Sequence, residues 1–145
     1  MIPALKKSGL LPSGIYLTTW EEFVEKFGFN PHRLQLLEEL KKGLNLLYRY
    51  GCRDVYIDGS FVTAKTLPND IDVCYDNGPM NWEAFIRQHP EFNDIRNGSR
   101  IQKLKYKSEF YAMNAFEDSI LRFFQRGRND EPKGILKIYL TGRLP

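Results

Sequence analysis

Two aspartates that stand two residues apart are the side chains of this sequence best suited to chemistry. Asp70 and Asp72 belong to the run Asp70–Cys74, whose apolar residues predict a strand. Side chains two apart on a strand project to the same face, so these carboxylates would lie side by side. Like charges at that separation repel each other, and a divalent cation between them removes the repulsion. Because Mg²⁺ prefers carboxylate and phosphate oxygens, the pair predicts a site for Mg²⁺ (or Mn²⁺).

A Gly-Ser pair precedes these aspartates and suits the binding of an anion. Gly59 and Ser60 directly follow a second short strand, predicted over Asp54–Asp58. Glycine permits a tight turn and lets backbone N–H groups approach an anion, and serine adds a hydroxyl donor for a phosphate oxygen. This order of elements would hold a triphosphate and its metal ions in one site. Either half alone is common, and an Asp-x-Asp pair can also be a solvated strand end that needs no metal.

The segment GSFVTAKTLPNDIDV resembles the signature of the nucleotidyltransferase superfamily related to DNA polymerase β. That signature is Gly-Ser or Gly-Gly, a spacer, and then Asp-x-Asp between apolar residues. The wider frame looks like a small bacterial family of nucleotidyltransferase-like proteins. Its shared features would be LPSGIYLTTWEEFVEKFG, RYGCRDVYIDGSFVT and PKGILKIYL, so the resemblance extends over nearly the whole chain.

The resemblance implies that a nucleoside monophosphate is transferred from an NTP to a hydroxyl, with release of pyrophosphate. Asp70 and Asp72 would hold two Mg²⁺ ions, and Gly59 and Ser60 would bind the β- and γ-phosphates. The acceptor hydroxyl would belong to an RNA, a protein or a small molecule. The minimal nucleotidyltransferases of toxin–antitoxin pairs are an analogue of similar size, which favours a toxin–antitoxin or phage-defence setting by analogy.

Enzymes of this superfamily usually add a third carboxylate from a later strand, and Glu109 is the candidate here. Alternating polar and apolar residues predict a strand over Gln102–Tyr111, with Glu109 on its polar face as a further metal ligand. The family more often has an aspartate between apolar residues, whereas Ser108 precedes this glutamate. A surface glutamate that neutralises the neighbouring lysines is the alternative. Asp94 and Glu117 are further candidates for the third carboxylate.

Several basic side chains could contact phosphates. Lys65 lies in the spacer and could reach the nucleotide, although exposed loop lysines are common. Arg100, Lys103 and Lys105 could line the cleft for the triphosphate or for an RNA acceptor. The net charge of +3 is compatible with a polyanionic partner and does not require one.

The chain has 145 residues, enough for a single domain with one hydrophobic core. Its signals predict an α/β (α+β) fold, in which helices flank a mixed sheet of three to four strands. Residues 1–19, punctuated by Pro and Gly, would form an irregular N-terminal arm, and residues 20–145 the nucleotidyltransferase-like domain. Helix-start signals at Thr18-Thr19 and Asn30-Pro31 open the first two helices. Further elements are expected as helices over Asn81–Gln88 and Asn114–Gln125, a turn-rich loop over Gly127–Pro132 and a last strand over Gly134–Leu140.

Other functional classes find little support. Cys52 and Cys74 lie in apolar segments without a Cys/His cluster, which predicts buried thiols in a reducing cytosol. The sequence has neither a secretory signal nor an apolar run of membrane-spanning length, so we expect a cytoplasmic protein with no membrane contact. A core this small leaves little room to bind an acceptor, so a protein partner or a homo-oligomer would supply that surface. The competing hypothesis is an inactive nucleotide-binding or antitoxin-like interaction module.

Overall fold

The computed structural model describes residues 1–113 and 132–145, and these ranges contain a five-stranded mixed sheet and four α-helices. The strands lie in the spatial order β1-β5-β2-β3-β4. Their bounds are β1 Gly14–Thr18, β2 Asp54–Asp58, β3 Ile71–Tyr75, β4 Ser108–Ala112 and β5 Gly134–Tyr139. The helices are α1 Trp20–Phe27, α2 Pro31–Arg49, α3 Trp82–Gln88 and α4 Arg96–Tyr106. The expected α/β class with a mixed sheet is confirmed.

The sheet combines parallel and antiparallel pairs. β2 at its centre runs antiparallel to both β5 and β3, whereas the outer pairs β1–β5 and β3–β4 are parallel. Asp58 of β2 stands opposite Asp72 of β3, and Asp72 stands opposite Glu109 of β4. The register therefore brings acidic residues of three neighbouring strands into line.

The two faces of the sheet have different surroundings. Residues such as Val55, Ile57 and Val73 point to one face and join the large apolar core formed with the helices. The alternate positions point to the other face, because successive strand residues project to opposite sides. That second face carries the carboxylates and a smaller apolar cluster that consists of Tyr56, Cys74, Met113 and Ile135.

The first two helices begin where local signals predict. The hydroxyl of Thr19 accepts a hydrogen bond from the amide of Glu22 at 3.1 Å, which caps the first turn of α1. The side-chain oxygen of Asn30 caps α2 in the same way, accepting from the amide of Arg33 at 2.8 Å. Leu40 and other leucines on one face of α2 are fully buried in the core.

The expectation of an irregular arm over residues 1–19 is wrong for Gly14–Thr18. These residues form β1, which pairs with β5 at the edge of the sheet. Tyr16 and Leu17 favour a strand locally, but the strand depends on a partner more than a hundred residues away in the chain. The sheet therefore has five strands instead of three or four.

The expectation of one strand over Gln102–Tyr111 is wrong in its first half. Residues up to Tyr106 belong to α4, and β4 begins at Ser108. Gln102 and Tyr106 stand one helical turn apart and are both buried, so a helical period orders this segment. The Gln102 side chain accepts a hydrogen bond from the amide of Phe110 at 2.7 Å, which ties the helix to β4.

Four further elements expected from the sequence have different outcomes. α3 and β5 lie where the sequence predicts a helix over Asn81–Gln88 and a strand over Gly134–Leu140. The helix expected over Asn114–Gln125 and nearly all of the loop expected over Gly127–Pro132 lie outside the described residues. Among the helices of residues 1–113 and 132–145, none has the length and hydropathy needed to cross a membrane.

Candidate functional site

A row of three carboxylates crosses one half of the sheet, from the last residue of the central strand β2 to β4 at the end of the strand order. Asp58, Asp72 and Glu109 occupy directly opposed positions on β2, β3 and β4, and we call them the carboxylate row. Opposed residues of neighbouring strands share a face, with Cβ atoms about 4.5–5.5 Å apart. The structure thus brings Glu109 beside Asp72, as the sequence predicts, and adds Asp58 to them.

Asp70 immediately precedes β3, which begins at Ile71. Its carboxylate is half-buried and stands 3.5 Å from the ammonium nitrogen of Lys103. Asp70 is also the charged group with the largest effect on Asp72. The two aspartates of the Asp-x-Asp pair therefore share one electrostatic environment, as expected from their spacing on a strand.

Burial makes two carboxylates of the row, Asp58 and Asp72, costly to ionise, and like charges add to the cost at Asp72. The pKa of Asp72 is raised to about 7, mainly by burial and additionally by the neighbouring carboxylates of Asp70, Asp58 and Glu109. Burial also raises the pKa of Asp58 to about 6, against an opposing effect of Lys133. Such carboxylates gain from a cation at neutral pH, because it offsets both the lost hydration and the repulsion.

Gly59 is required by the position of the Asp72 side chain. Its φ is +78°, a conformation that disfavours residues with a Cβ atom. A Cβ atom here would stand 2.2 Å from Oδ2 of Asp72, much closer than van der Waals contact. The glycine of the Gly-Ser pair thus leaves space against the carboxylate row, while Ser60 continues into a 3-10 turn over Gly59–Val62.

The loop after the Gly-Ser pair is held from behind by a buried arginine. Arg33 of α2 is fully buried, and its guanidinium donates hydrogen bonds to the backbone carbonyls of Phe27, Phe61 and Lys65. The guanidinium also stacks 4.1 Å from the centre of the Phe61 ring. Burial lowers the pKa of Arg33 to about 10, which leaves it charged at neutral pH. Arg33 therefore fixes the loop that joins Gly59 to Asp70.

A half-buried lysine, Lys133, pairs with Asp58. The ammonium nitrogen of Lys133 lies 3.4 Å from Oδ1 of Asp58, and the two side chains are 15% and 1% exposed. Lys133 immediately precedes β5, whose first residue Gly134 packs against the chain at Pro12. A Cβ atom on Gly134 would stand 2.2 Å from the carbonyl oxygen of Pro12, so this close approach also requires glycine.

A basic cleft adjoins the carboxylate row at Asp70. Its volume is about 320 Å³, and Arg100, Lys103 and Lys107 line it opposite Asp70. Arg100 and Lys103, which the sequence analysis assigns to a phosphate-binding cleft, thus line one cleft together with Asp70. Lys105 is not among the lining residues, and its ammonium instead stands 3.6 Å from Glu91. The α-helical period separates it from Lys103, because residues two apart on a helix face different directions.

The match to a sequence family extends over nearly all of the chain. The profile of a family of unknown function, DUF6932, matches residues 3–139, a range that contains all five strands and the carboxylate row. The chain belongs to the DUF6932 family. No curated protein matches this chain. No solved structure matches it either.

Two further expected site residues of this DUF6932 chain, Lys65 and Asp94, are not brought to the carboxylate row. Lys65 has an exposed side chain, and no contact within residues 1–113 and 132–145 joins its ammonium to the carboxylates. Asp94 is instead bound by Arg96, with Nη2 at 2.7 Å from Oδ2. Glu117 lies outside the described residues. Among the described residues, Glu109 is the carboxylate of a later strand that stands beside Asp72, and burial together with a hydrogen bond to Glu109 raises the pKa of Tyr111 beside it.

The carboxylate row suits a divalent cation in donor type. Hard carboxylate oxygens line one face of the sheet, and neither side-chain oxygen of Asp58 has a hydrogen-bond partner in the part of the chain described. Gly59 keeps the space beside Asp72 open. No three His, Cys, Asp or Glu side chains of the described ranges stand in the geometry of a metal centre. The carboxylates thus lie in strand register instead of around a common point.

Three residues of this site are missed by sequence reasoning. Asp58 carries a signal, because it alternates with Tyr56 and immediately precedes Gly59, so its side chain must project from the end of the strand. Lys133 and Arg33 carry none. Their roles depend on contacts with residues that are far away in the sequence. Cys52 and Cys74 are free and buried, as predicted, and burial raises the pKa of the Cys74 thiol on the face of the row.

Proposed function

We propose that this chain is a metal-dependent nucleotidyltransferase, which transfers a nucleoside monophosphate from an NTP to a hydroxyl of an RNA, protein or small-molecule acceptor. The observation that carries the proposal is the alignment of Asp72 with Glu109 and Asp58, next to Asp70 and against Gly59. The resemblance of residues 59–73 to the nucleotidyltransferase signature supports the same function. A merely structural role would not require several like charges, one of them fully buried, on one face of a sheet.

Each part of the site has a task in such a transfer. Asp70, Asp72 and Glu109 would hold Mg²⁺ or Mn²⁺, whose charge would stabilise the triphosphate and the leaving pyrophosphate. Gly59 leaves room beside Asp72, and Ser60 offers a half-buried hydroxyl at the first turn after β2. With the loop fixed by Arg33, the chain would act mainly by positioning charges before the reaction begins.

The basic cleft beside Asp70 supports an anionic ligand next to the carboxylate row. Arg100, Lys103 and Lys107 would attract either the triphosphate or the phosphates of an RNA acceptor. A protein partner or a second copy of the chain would supply further acceptor contacts. By analogy with minimal nucleotidyltransferases, the setting would be a cytoplasmic toxin–antitoxin or phage-defence system.

Transfer can be tested without knowing the acceptor. The purified chain is incubated with each α-labelled NTP, Mg²⁺ or Mn²⁺ and a cell lysate, and labelled RNA, protein and small molecules are separated. We expect one class of acceptor to become labelled by the wild type and by the control Asp54→Asn. The double variant Asp70→Asn, Asp72→Asn should give no label. Equal labelling by the double variant would contradict the proposal.

A nucleotide-binding module without catalysis is the second candidate, and the Asp58–Lys133 pair favours it. Lys133 already supplies a positive charge to the carboxylate row, and the described side chains do not surround a common metal position. Saturable NTP binding without pyrophosphate release in Mg²⁺ or Mn²⁺ would support this candidate. A tight protein complex unaffected by changes at Asp70 and Asp72 would instead support an antitoxin-like interaction module.

A further inference from the structure

Asp58 is the most buried carboxylate of the row, and the proposed transfer gives it no task. Its side chain is 1% exposed, and neither of its oxygens has a hydrogen bond of good geometry within the described residues, although the Gly59 amide and the Lys133 ammonium lower the pKa of Asp58. A carboxylate in that position is normally satisfied by two or more donors, because an unpaired buried charge is strongly unfavourable. Its oxygens are therefore available to a ligand that carries positive charge.

Lys133 is the charged group that offsets Asp58 in the structure. Its ammonium stands 3.4 Å from Oδ1 of Asp58, longer than a close charge-assisted hydrogen bond. Lysine is a compact charge on a flexible stem of four carbons, so it can leave such a position by side-chain rotation alone. Lys133 thus places a positive charge beside the carboxylate row, and it can move away when another cation binds there.

The position of Asp58 connects this pair to Asp72. The two aspartates are directly opposed on β2 and β3, and Asp58 is one of the carboxylates that raise the pKa of Asp72. A cation bound at Asp72 would therefore lie next to Asp58 as well, and it would repel the ammonium of Lys133.

We infer that Asp58 is an additional ligand of the cation site and that Lys133 is its built-in counter-ion, which a divalent cation displaces. The inference rests on the cation site of the proposed function. It gives the chain a resting state in which lysine neutralises the row, and a loaded state in which Mg²⁺ or Mn²⁺ does so.

The chain provides a matched control on the same strand. Asp54 and Lys137 also stand 3.4 Å apart, on the same face of the sheet, but their side chains are 30% and 34% exposed. Asp54 is opposed to Tyr139 of β5 and lies outside the carboxylate row. Changes to this second pair alter the same residue types and net charge without touching the site.

The test measures the binding of Mn²⁺ to the full chain, by titration calorimetry and by the electron paramagnetic resonance of free Mn²⁺. Lys133→Met should bind Mn²⁺ about tenfold more tightly than the wild type, because the competing ammonium is gone. Asp58→Asn should weaken binding about tenfold or more, as expected for the loss of a ligand. Asp54→Asn and Lys137→Met should change the affinity less than about twofold, because exposed pairs interact weakly.

A double-variant cycle separates displacement from a general effect of charge. If Lys133 acts by occupying Asp58, Lys133→Met should have almost no effect in the Asp58→Asn background. A persistent tenfold effect there would overturn the inference, because it would show that Lys133 acts only through its distant field. This comparison uses Asp58→Asn and the double variant, and neither of them leaves an unpaired charge at Asp58. It can therefore be made even if Lys133→Met alone folds poorly.

A second readout uses the wild-type chain only. Acetylation of lysine amines, followed by mass spectrometry, should modify Lys133 several-fold faster with saturating Mn²⁺ than with a chelator, and Lys137 equally in both. Equal acetylation rates for Lys133 in the two conditions would overturn the displacement of Lys133 by the cation.

Binding of Mn²⁺ that depends on Asp70 and Asp72 but not on Asp58 or Lys133 would overturn this inference and leave the proposed function standing. Absence of binding in every variant would overturn both.

Discussion

The two ends of β2 carry the same pair of residue types in different surroundings. At one end Asp54 stands 3.4 Å from Lys137, and at the other end Asp58 stands 3.4 Å from Lys133. The aspartates are 30% and 1% exposed, respectively. The first pair is solvated on the surface, whereas the second lies next to Asp72 in the carboxylate row.

This difference shows that burial and neighbours decide what an ion pair does. An exposed pair is screened by water and contributes about 0–1 kcal/mol. A buried pair loses hydration, and removing one partner leaves an uncompensated charge at a cost of about 3–5 kcal/mol. The structure retains such a pair beside further carboxylates, which is an expensive arrangement unless the charges serve a ligand.

The largest expected difference between the two ends concerns activity. Asp72→Asn should lower the rate of nucleotidyl transfer at least about 10²–10³-fold, because the site loses a charge that acts on the reacting phosphates. Asp54→Asn should leave the rate within about twofold of the wild type, since an exposed pair is weakly coupled to its surroundings. Initial rates with the labelled acceptor measure both. Similar losses in the two variants would remove the distinction between the ends.

The next difference concerns stability and its dependence on pH. Lys133→Met should lower the free energy of unfolding by about 3 kcal/mol at pH 7.5, because it leaves Asp58 buried and charged. The loss should shrink at pH 5, where Asp58 is protonated in view of its raised pKa of about 6. Lys137→Met should cost less than about 1 kcal/mol at either pH. Urea titrations in a chelator provide the comparison, and a pH-independent loss for Lys133→Met would contradict it.

Glycines near the two ends of β2 sharpen the comparison further. Gly59 and Gly51 both have positive φ, so an alanine at either position should cost about 1–3 kcal/mol of stability. Only at Gly59 would the new Cβ atom meet Asp72, whereas at Gly51 it meets the backbone of Pro79. Gly59→Ala should therefore also weaken Mn²⁺ binding, and Gly51→Ala should not. Gly142→Ala, which has no neighbour within 4 Å, is the neutral control.

The smallest expected effect is a gain in stability. Asp72 has a pKa raised from 3.8 to about 7, so the folded chain binds more protons than the unfolded chain between those values. Its contribution to stability is fully present below pH 4 and is lost as the pH rises through about 7. In a chelator at pH 7.5, Asp72→Asn should be more stable than the wild type by about 1–2 kcal/mol, allowing for partial exposure. Asp54→Asn should show no gain, and a loss of stability in Asp72→Asn would contradict this interpretation.

Local signals in the sequence were sufficient for several elements. Thr19 and Asn30 cap helices as predicted, because a cap depends on the few residues that follow it. β2 and β3 form where short apolar runs predict strands. The segments that were assigned wrongly, Gly14–Thr18 and Gln102–Tyr106, have weak or ambiguous periods and are decided by their partners in the fold.

The residue types of the candidate site can be identified from the sequence: two aspartates two residues apart at the start of a strand, a preceding glycine that tolerates positive φ, and a later glutamate. Those features follow from chain geometry over a few residues. The three-dimensional fold was needed to show that Asp58 is opposed to Asp72, that Lys133 reaches Asp58 and that Arg33 holds the loop. The physical reason is that strand register and burial arise from contacts between distant segments, and these contacts, unlike caps and turns, leave no local pattern in the chain.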